Sequence, residues 1–297
     1  MNVVSLRRPP FLSAGSLVHI VAPSSPFPRE RFDKGLALIE ARYRAQLADD
    51  LFARDGLFAG DERSRLAALR AALADREAGA IVAARGGYGS TRLLPSLALE
   101  EVHAADKWLV GFSDVTALHA LWMRAGLCSI HAPMVASLWE APPATQAAWF
   151  ALLEGEQPPA LTELRQLRGG RCEGRLFGGN LTVLAALVGT PYMPDLRHTV
   201  LVLEDVTERP YRVDRTLTTM LQAGVLEGVR GVVLGQFSQC EAGPDGVEVE
   251  SVLEERLAAL SIPLVAGAPV GHVPDNRPLL LGARVELDAD AGTLSWE

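Results

Sequence analysis

One serine in this chain stands where a strand pattern gives way to a helix pattern. In the segment KWLVGFSDVTALHALW, residues 107–122, an apolar run ends at Ser113 and apolar residues then recur at helical spacing. A serine at such a join can cap the helix, because its hydroxyl accepts a hydrogen bond from an N–H group of the first turn. It can equally be a nucleophile held in a sharp turn, with nearby amides stabilising an oxyanion. Val115 replaces the second glycine of the motif G-x-S-x-G, so the motif alone does not decide.

A serine nucleophile needs a general base, which is normally a histidine oriented by a carboxylate. His272 lies in the irregular segment PVGHVPDNRP directly after an apolar run, a setting in which a side chain can line a cleft. His131, in SIHAPM, ends a short strand pattern and can also face a cleft. Structural or surface roles are predicted for the other four histidines: His19, His103, His119 and His198.

The candidate carboxylates are Glu204 and Asp205, which directly follow four apolar residues in TVLVLEDV. Successive side chains of a strand point to opposite faces, so only one of the two can face a given cleft. A solvated acidic pair at a strand end is the other interpretation. Asp114 is too close to Ser113 in the sequence to orient its base, and we expect Asp114 to cap the helix.

The first half of the sequence alternates strand patterns with helix patterns. Near-continuous apolar runs at 17–23, 80–87 and 108–113 are typical of strands buried on both faces. Helical patterns at 31–43 and 62–77 lie between the first two runs. A strand, helix, strand order predicts a parallel sheet.

The second half of the sequence follows a segment rich in proline and glycine. This segment, 154–173, predicts a linker between an N-terminal domain over 1–153 and a C-terminal domain over 174–297. Beyond the linker the patterns predict strands at 199–206, 231–237 and 263–272, helices at 214–224 and 249–260, and a closing hairpin over 284–297.

The composition limits the class of protein. The 297 residues are 48% hydrophobic and suffice for two globular domains. A net charge of -8 argues against a nucleic-acid partner, because such partners are bound by clustered Lys and Arg. Cys128, Cys172 and Cys240 form no C-x-x-C motif, so neither a disulfide framework nor a thiolate zinc site is predicted. The sequence contains neither a long apolar run nor a signal-peptide pattern, and we expect a cytoplasmic protein without a membrane span.

Six motifs follow one another along the chain: VAPSSP (21–26), AARGGYGSTRLLP (83–95), GFSDVTALH (111–119), FGGNLTVL (177–184), LEDVTERPYRVDR (203–215) and GHVPDN (271–276). In this order and spacing they resemble the LD-carboxypeptidase family, the serine peptidases that include microcin-immunity-type enzymes. The resemblance covers nearly the whole chain. It implies an N-terminal parallel-sheet α/β domain, a C-terminal β-rich α/β domain and an active site in the groove between them.

The resemblance also implies roles for individual residues. Ser113 is the expected nucleophile, His272 the base, and Glu204 the carboxylate that orients the base. The backbone amides of Gly87 and Asp114 are expected to form the oxyanion hole. The RGGYG segment around Gly87 has no lysine and does not fit a phosphate-binding loop, so nucleotide binding through it is not expected.

The activity implied by the family is cleavage between an L-configured centre and a terminal D-amino acid. The expected reaction is removal of D-Ala from murein tetrapeptide in cell-wall recycling, by a homodimer. No cofactor or metal is expected, because the sequence has neither H-E-x-x-H nor a cysteine cluster. Arg85, Tyr88 and Arg92 are alternative partners for the substrate carboxylate, and the sequence does not choose among them.

Two other functions compete with murein cleavage. One is a microcin-immunity-type peptidase that cleaves a toxic peptidyl-nucleotide; the short connection between 184 and 201 leaves little room for an added ligand-covering loop and favours murein. The other is a non-catalytic peptide-binding protein, which the complete Ser, Glu, His set disfavours. One departure is Ala132, which stands where the family commonly has glycine in an HGP motif, and its methyl group is expected to narrow the cleft.

Overall fold

The computed structural model describes residues 6–297, and the first five residues of the predicted N-terminal domain lie outside this description. The described chain divides into two compact units. The N-terminal unit runs to residue 158 and also includes 274–280, whereas the C-terminal unit comprises 159–273 and 281–297. No helix within the described residues is long and apolar enough to cross a bilayer.

Strands and helices alternate in the N-terminal unit, as the sequence predicted. The elements are β1 (Leu17–Val21), α1 (Arg29–Glu40), β2 (Arg44–Leu47), α2 (Glu62–Ala74), β3 (Ala78–Ala83), α3 (Leu99–Ala105), β4 (Trp108–Gly111), α4 (Thr116–Arg124), β5 (Ser129–His131), α5 (Val135–Leu138) and α6 (Pro143–Leu153).

The rest of the chain adds eight strands and three helices within the described residues. These are β6 (Arg165–Arg168), β7 (Arg171–Asn180), α7 (Leu181–Ala185), β8 (Thr199–Val206), α8 (Pro210–Gln222), β9 (Gly231–Ser238), α9 (Val249–Ala258), β10 (Leu264–Ala266), β11 (Leu279–Leu281), β12 (Arg284–Asp288) and β13 (Thr293–Trp296).

The N-terminal sheet has the strand order β11-β5-β4-β3-β1-β2. The pairs from β5 to β2 are parallel, and the apolar sequence of the strands reflects burial on both faces of this sheet. The chain proceeds from β1 to β2 in one direction and from β3 to β5 in the other. Ligands of open α/β sheets bind at the carboxyl ends of the strands where the order reverses, and here that point lies between β1 and β3.

Fully buried side chains fill the core of the N-terminal unit. Ile20, Ile81 and Val110 have no exposed surface, and burying an aliphatic side chain of this size contributes about 1.5–3 kcal/mol. The Trp122 indole is also buried, and its N–H donates to the Lys107 carbonyl over 2.9 Å. This packing holds α4 against β4, and with it the turn that carries Ser113.

The C-terminal sheet has the order β13-β12-β7-β8-β9-β10-β6. Its central strands, β7 to β10, are parallel, whereas β12, β13 and β6 pair antiparallel at the two sides. The predicted closing hairpin is β12–β13. In the parallel pair β7–β8, Asn180 lies opposite Glu204, which places the ends of both strands at one edge.

Part of the predicted linker over 154–173 is wrong, because β6 and the first residues of β7 fall within it. The sequence pattern failed there for a physical reason. β6 is the outermost strand of its sheet, and Arg165 and Gln166 on it are exposed, so it has no apolar run to mark it. The predicted strand over 263–272 is also shorter, since β10 ends before Gly267, whose φ is +88°.

Candidate active site

Ser113 lies in the sharp turn that joins β4 to α4. A single 3₁₀ turn, Ser113–Val115, leads directly into the helix, so the predicted strand–turn–helix connection is confirmed. Ser113 has a φ of +62°, in the left-handed region that favours glycine. Such strain is typical of a nucleophile elbow, whereas a capping residue has extended backbone angles. The geometry therefore favours the nucleophile interpretation of Ser113 over the capping one.

The glycine-rich loop after β3 packs against the Ser113 side chain. A Cβ atom at Gly86 would lie 3.0 Å from the Cβ of Ser113 and 3.2 Å from its Oγ. Gly87 has a φ of +105°, and a Cβ atom there would lie 2.6 Å from the Oγ of Ser25. Gly87 therefore needs glycine, because of both its backbone angle and its close approach to Ser25, whereas a side chain at Gly86 would crowd Ser113. The family resemblance implied a role for Gly87 but none for Gly86, and the sequence pattern alone does not distinguish two adjacent glycines.

The backbone amides of Gly87 and Asp114 are both available as hydrogen-bond donors. Neither amide donates a hydrogen bond to any group within residues 6–297. Buried backbone N–H groups are almost always paired, so the amide of Asp114, which is 1% exposed, is unusual, whereas Gly87 is exposed and water can bond to its amide. Asp114 directly follows Ser113, and Gly87 follows Gly86, which packs against the Ser113 side chain, so both amides are candidate donors to an oxyanion.

The prediction that Asp114 caps the helix is wrong. Its Oδ2 accepts hydrogen bonds from the Ser24 hydroxyl at 2.6 Å and from the Ser90 amide at 2.7 Å. Asp114 lies inside the first turn, past the extended position from which a capping side chain reaches the helix amides. Its carboxylate therefore points to the loops that follow β1 and β3.

The C-terminal unit contains a carboxylate–imidazole pair. Nδ1 of His272 donates to Oε2 of Glu204 over 2.7 Å, and Glu204 has no exposed surface. Two glycines leave room for the carboxylate: a Cβ at Gly271 would lie 2.7 Å from Oε2, and one at Gly235 would lie 3.2 Å from the Glu204 Cβ. A carboxylate bonded to Nδ1–H fixes the tautomer of a histidine, so that Nε2 can accept a proton.

Glu204 and Asp205 have separate partners, as expected for successive strand residues. Asp205 accepts hydrogen bonds from the Asn180 amide group at 2.9 Å and from the Thr182 hydroxyl at 2.7 Å, and so anchors the start of α7. The register between β8 and β9 shifts between Leu203 and Asp205, and such bulges re-aim side chains near active sites. Both carboxylates are buried, which excludes the solvated-pair interpretation.

The four histidines assigned structural or surface roles have them. His19 bonds to Asp75 at 2.7 Å, His103 bonds to the Ala125 carbonyl at 2.8 Å, and His198 is exposed beside Arg230. His119 is fully buried, and its Nε2 donates to the Gly111 carbonyl over 2.9 Å. Burial lowers the pKa of His119 to about 4, so it stays neutral while it holds the end of β4.

His131 and Ala132 do not line a cleft in the N-terminal unit. His131 is fully buried with its ring 5.7 Å from that of Phe112, which excludes the alternative that it faces solvent. Ala132 is also fully buried, and its amide donates to the Gly111 carbonyl over 3.1 Å. The methyl group that replaces the usual glycine hydrogen therefore adds to the core.

The thiols of Cys172 and Cys240 are not alternatives to Ser113 as the nucleophile. Burial raises the pKa of both thiols to about 11. The thiolate is the reactive form, and neither group reaches it near neutral pH. Cys128 is buried as well.

Arg85 and Tyr88 are the better placed of the three candidate partners for a substrate carboxylate. Both are exposed and flank the glycine pair next to Ser113. Arg85 has one donor engaged, since its Nη1 bonds to the Pro26 carbonyl at 2.6 Å. Arg92 already pairs with Glu62, at 3.0 Å.

Comparison with known proteins finds relatives of both units. Residues 18–132 match the LD-carboxypeptidase N-terminal domain, and residues 173–287 match the LD-carboxypeptidase C-terminal domain. The murein tetrapeptide carboxypeptidase of Pseudomonas aeruginosa is 30% identical over 299 residues, which cover 94% of this chain and 94% of that protein. The crystal structure of muramoyltetrapeptide carboxypeptidase from Oxalobacter formigenes has a TM-score of 0.83 and 30% identity, covering 94% of this chain and 97% of the other.

The microcin C7 self immunity protein MccF, in complex with aspartyl sulfamoyl adenosine, shares the fold. Its TM-score is 0.87 over 98% of both chains, at 22% identity.

The fold and the site thus define a serine-type carboxypeptidase of two α/β units. The chain belongs to the LD-carboxypeptidase family, and the fold class, family and enzyme class predicted from the sequence are confirmed.

Proposed function

We propose that Ser113, His272 and Glu204 form one catalytic triad that releases a terminal D-amino acid from a peptide. The observation that supports this most strongly is the left-handed backbone of Ser113 at the strand-to-helix turn, because a strained non-glycine residue persists only where the surroundings hold it. The bonded Glu204–His272 pair supplies the base that such a serine needs.

The proposed reaction is acyl transfer to water through an ester. The Ser113 Oγ attacks the carbonyl carbon while Nε2 of His272 takes its proton, and the amides of Gly87 and Asp114 stabilise the oxyanion. The C–N bond then breaks as the imidazolium gives its proton to the leaving amine. Water, deprotonated by the same histidine, attacks the ester and restores the serine. Glu204 keeps the imidazole oriented and stabilises its cation in both steps.

The proposed substrate is murein tetrapeptide, from which the enzyme releases D-Ala in cell-wall recycling. Support comes from the Pseudomonas aeruginosa relative and the Oxalobacter formigenes structure, whose descriptions name murein tetrapeptide and muramoyltetrapeptide carboxypeptidases. A substrate of this kind ends in a free carboxylate, and the exposed Arg85 next to the glycine pair offers a guanidinium for it.

Release of D-Ala from murein tetrapeptide by the wild-type protein and by Ser113→Ala tests this function. The wild type should turn over, and Ser113→Ala should lose about 10⁶ in kcat while keeping its fold by circular dichroism. A fluorophosphonate should label the wild type at Ser113 and leave the variant unlabelled. Wild-type turnover by Ser113→Ala would remove the residue from the mechanism.

The second candidate substrate is a peptidyl-nucleotide, as in microcin immunity. Its support is the shared fold with MccF, a likeness that at 22% identity concerns the fold. The segment between α7 and β8, residues 186–198, is short, which favours murein. The same assay, run with a peptidyl-nucleotide beside murein tetrapeptide, separates the two functions by their kcat/KM ratio.

We also propose that the enzyme is cytoplasmic and forms a homodimer, on the strength of its resemblance to the family. Light scattering on a size-exclusion column measures the mass of the particle directly. A dimer has twice the chain mass of 31.8 kDa, and a monomer at micromolar concentration would contradict the proposal.

A further inference from the structure

Two buried ionic side chains, one an acceptor and one a donor of hydrogen bonds, hold the glycine-rich loop after β3. The Asp114 carboxylate accepts from the Ser24 hydroxyl and the Ser90 amide through a single oxygen, Oδ2. Arg65 donates from Nη1 to the carbonyls of Pro23 and Gly89, at 2.5 Å and 3.1 Å. The carboxylate therefore accepts hydrogen bonds from the two loops that contain Ser24 and Ser90. The guanidinium donates hydrogen bonds to carbonyl groups of the same two loops.

These two loops are the ones that follow β1 and β3 at the point where the strand order reverses. They are also joined directly, since the Ser25 amide donates to the Gly86 carbonyl over 3.2 Å and the Tyr88 amide donates to the Ser25 hydroxyl over 3.1 Å. Gly87 lies between those contacts. Its amide direction is therefore set by how the two loops are held together.

Both ionic groups are almost completely removed from solvent. Asp114 is 1% exposed and Arg65 is 3% exposed. The Arg65 guanidinium also lies 4.7 Å from the centre of the Phe58 ring, and a Cβ atom at Gly89 would lie 2.7 Å from Nη1. Burial lowers the pKa of Arg65, while the charges of Glu62 and Asp114 oppose that effect. Burying a charge is costly, and each of the two groups offsets that cost with hydrogen bonds to the loops.

We propose that the Arg65 guanidinium and the Asp114 carboxylate, here called the Arg65–Asp114 clamp, position the Gly87 amide for the oxyanion. The proposal rests on the proposed function, because it assumes that Ser113 is the nucleophile. Neither charged group touches the substrate. Both are positioning residues, and the Asp114 carboxylate acts separately from the backbone amide of the same residue. Oxyanion stabilisation depends on donors fixed in advance, which is what the clamp supplies.

The test measures kcat and KM for murein tetrapeptide per active site, with active sites counted by fluorophosphonate labelling of Ser113. Asp114→Ala and Arg65→Met should each lower kcat about 10- to 100-fold, while KM changes less than about threefold. Asp114→Asn can keep an acceptor at the Oδ2 position and should recover part of the loss. This rescue and the split between kcat and KM would not follow from a merely structural role.

Two matched controls remove equivalent bonds elsewhere. Asp288 accepts from the amides of Asp290 and Ala291 through one oxygen and pairs with Arg171 through the other, so Asp288→Ala removes at least as many bonds as Asp114→Ala. Lys107 donates to the carbonyls of Asp75 and Ala78, so Lys107→Met mimics the loss at Arg65. Both controls should lower the Tm and leave kcat per active site unchanged.

Each result bears on the proposal. Wild-type kcat per active site in Asp114→Ala, or an equal loss in the controls, overturns the clamp while leaving the triad in place. Turnover by Ser113→Ala overturns the proposed function, and the clamp with it. If Asp114→Ala does not fold, Ser24→Ala decides the matter, because it removes one of the two bonds to Oδ2 and should lower kcat at constant KM.

Discussion

The two halves of the proposed triad are held in place by different means. Around Ser113, hydrogen bonds and buried ionic groups tie three loops together, and the serine backbone is strained. Around Glu204, the carboxylate bonds to His272 and glycines pack against it, while the Ser238 hydroxyl donates to the His272 carbonyl over 3.1 Å. Buried ionic groups thus hold the loops around the nucleophile, whereas close-packed glycines shape the pocket around the carboxylate of the base. Substitutions can test this contrast separately in each half.

The largest effect is expected from Glu204→Gln in the C-terminal half. A neutral amide cannot stabilise the imidazolium and favours the wrong tautomer, so kcat should fall by about 10⁴. Asp205→Asn is the matched control, because it changes the neighbouring buried carboxylate that anchors α7. The control should lose about 1–2 kcal/mol of stability and keep kcat within a few-fold. Steady-state kinetics and urea unfolding of both variants measure these effects; equal kinetic losses would refute the contrast.

A smaller effect is expected when the shape around Glu204 changes. Gly271 has a φ of +120° and leaves no room for a Cβ beside Oε2, so Gly271→Ala should shift the carboxylate and lower kcat about 10- to 100-fold. Gly267→Ala places the same methyl group at a φ of +88° with no atom within 4 Å. Both variants should lose about 1–3 kcal/mol from backbone strain, but only Gly271→Ala should lose activity. Kinetics and thermal unfolding distinguish the two outcomes.

The smallest effect concerns the pH dependence of the nucleophile half. The pKa of His119 is about 4 in the folded protein, below its ordinary 6.5. As the pH falls, His119 is therefore protonated in the unfolded chain before it is protonated in the folded protein. The free energy of unfolding consequently decreases between pH 6.5 and pH 4. From pH 7 to 5 this loss should be about 2 kcal/mol. His119→Gln should remove it, whereas His198→Gln, at an exposed site, should not. Urea unfolding at the two pH values gives the result, and parallel slopes for wild type and His119→Gln would contradict it.

The sequence predicted those parts of the fold that depend on local patterns. The buried strands β1, β4 and β8 are apolar runs, and the turn at Ser113 follows from a strand pattern meeting a helix pattern. β6 could not be predicted, because an edge strand with exposed polar side chains has no such run. Residues 274–280 join the N-terminal unit through contacts distant in sequence, which no local pattern records.

Within the candidate site, residue types were easier to predict than the contacts that place them. Glu204 and Asp205 are adjacent and chemically alike, and only the bond to His272 separates their roles. Gly271 needs to be glycine, and Gly86 is tightly packed, because of atoms from other segments, Glu204 and Ser113, that approach them in the fold. The hydrogen-bond donors to Asp114, on Ser24 and Ser90, come from loops far away in sequence. The local pattern does not reveal them, and it therefore predicted a helix cap for Asp114.

The central claim is that Ser113 and His272 act as one unit, and a double-mutant cycle in kcat/KM for murein tetrapeptide tests it most directly. Groups that share a catalytic step are strongly non-additive, so Ser113→Ala, His272→Ala and the double variant should all lose nearly the same factor, about 10⁶. Losses that multiply in the double variant would show that the serine and the histidine act independently, and the triad would be wrong.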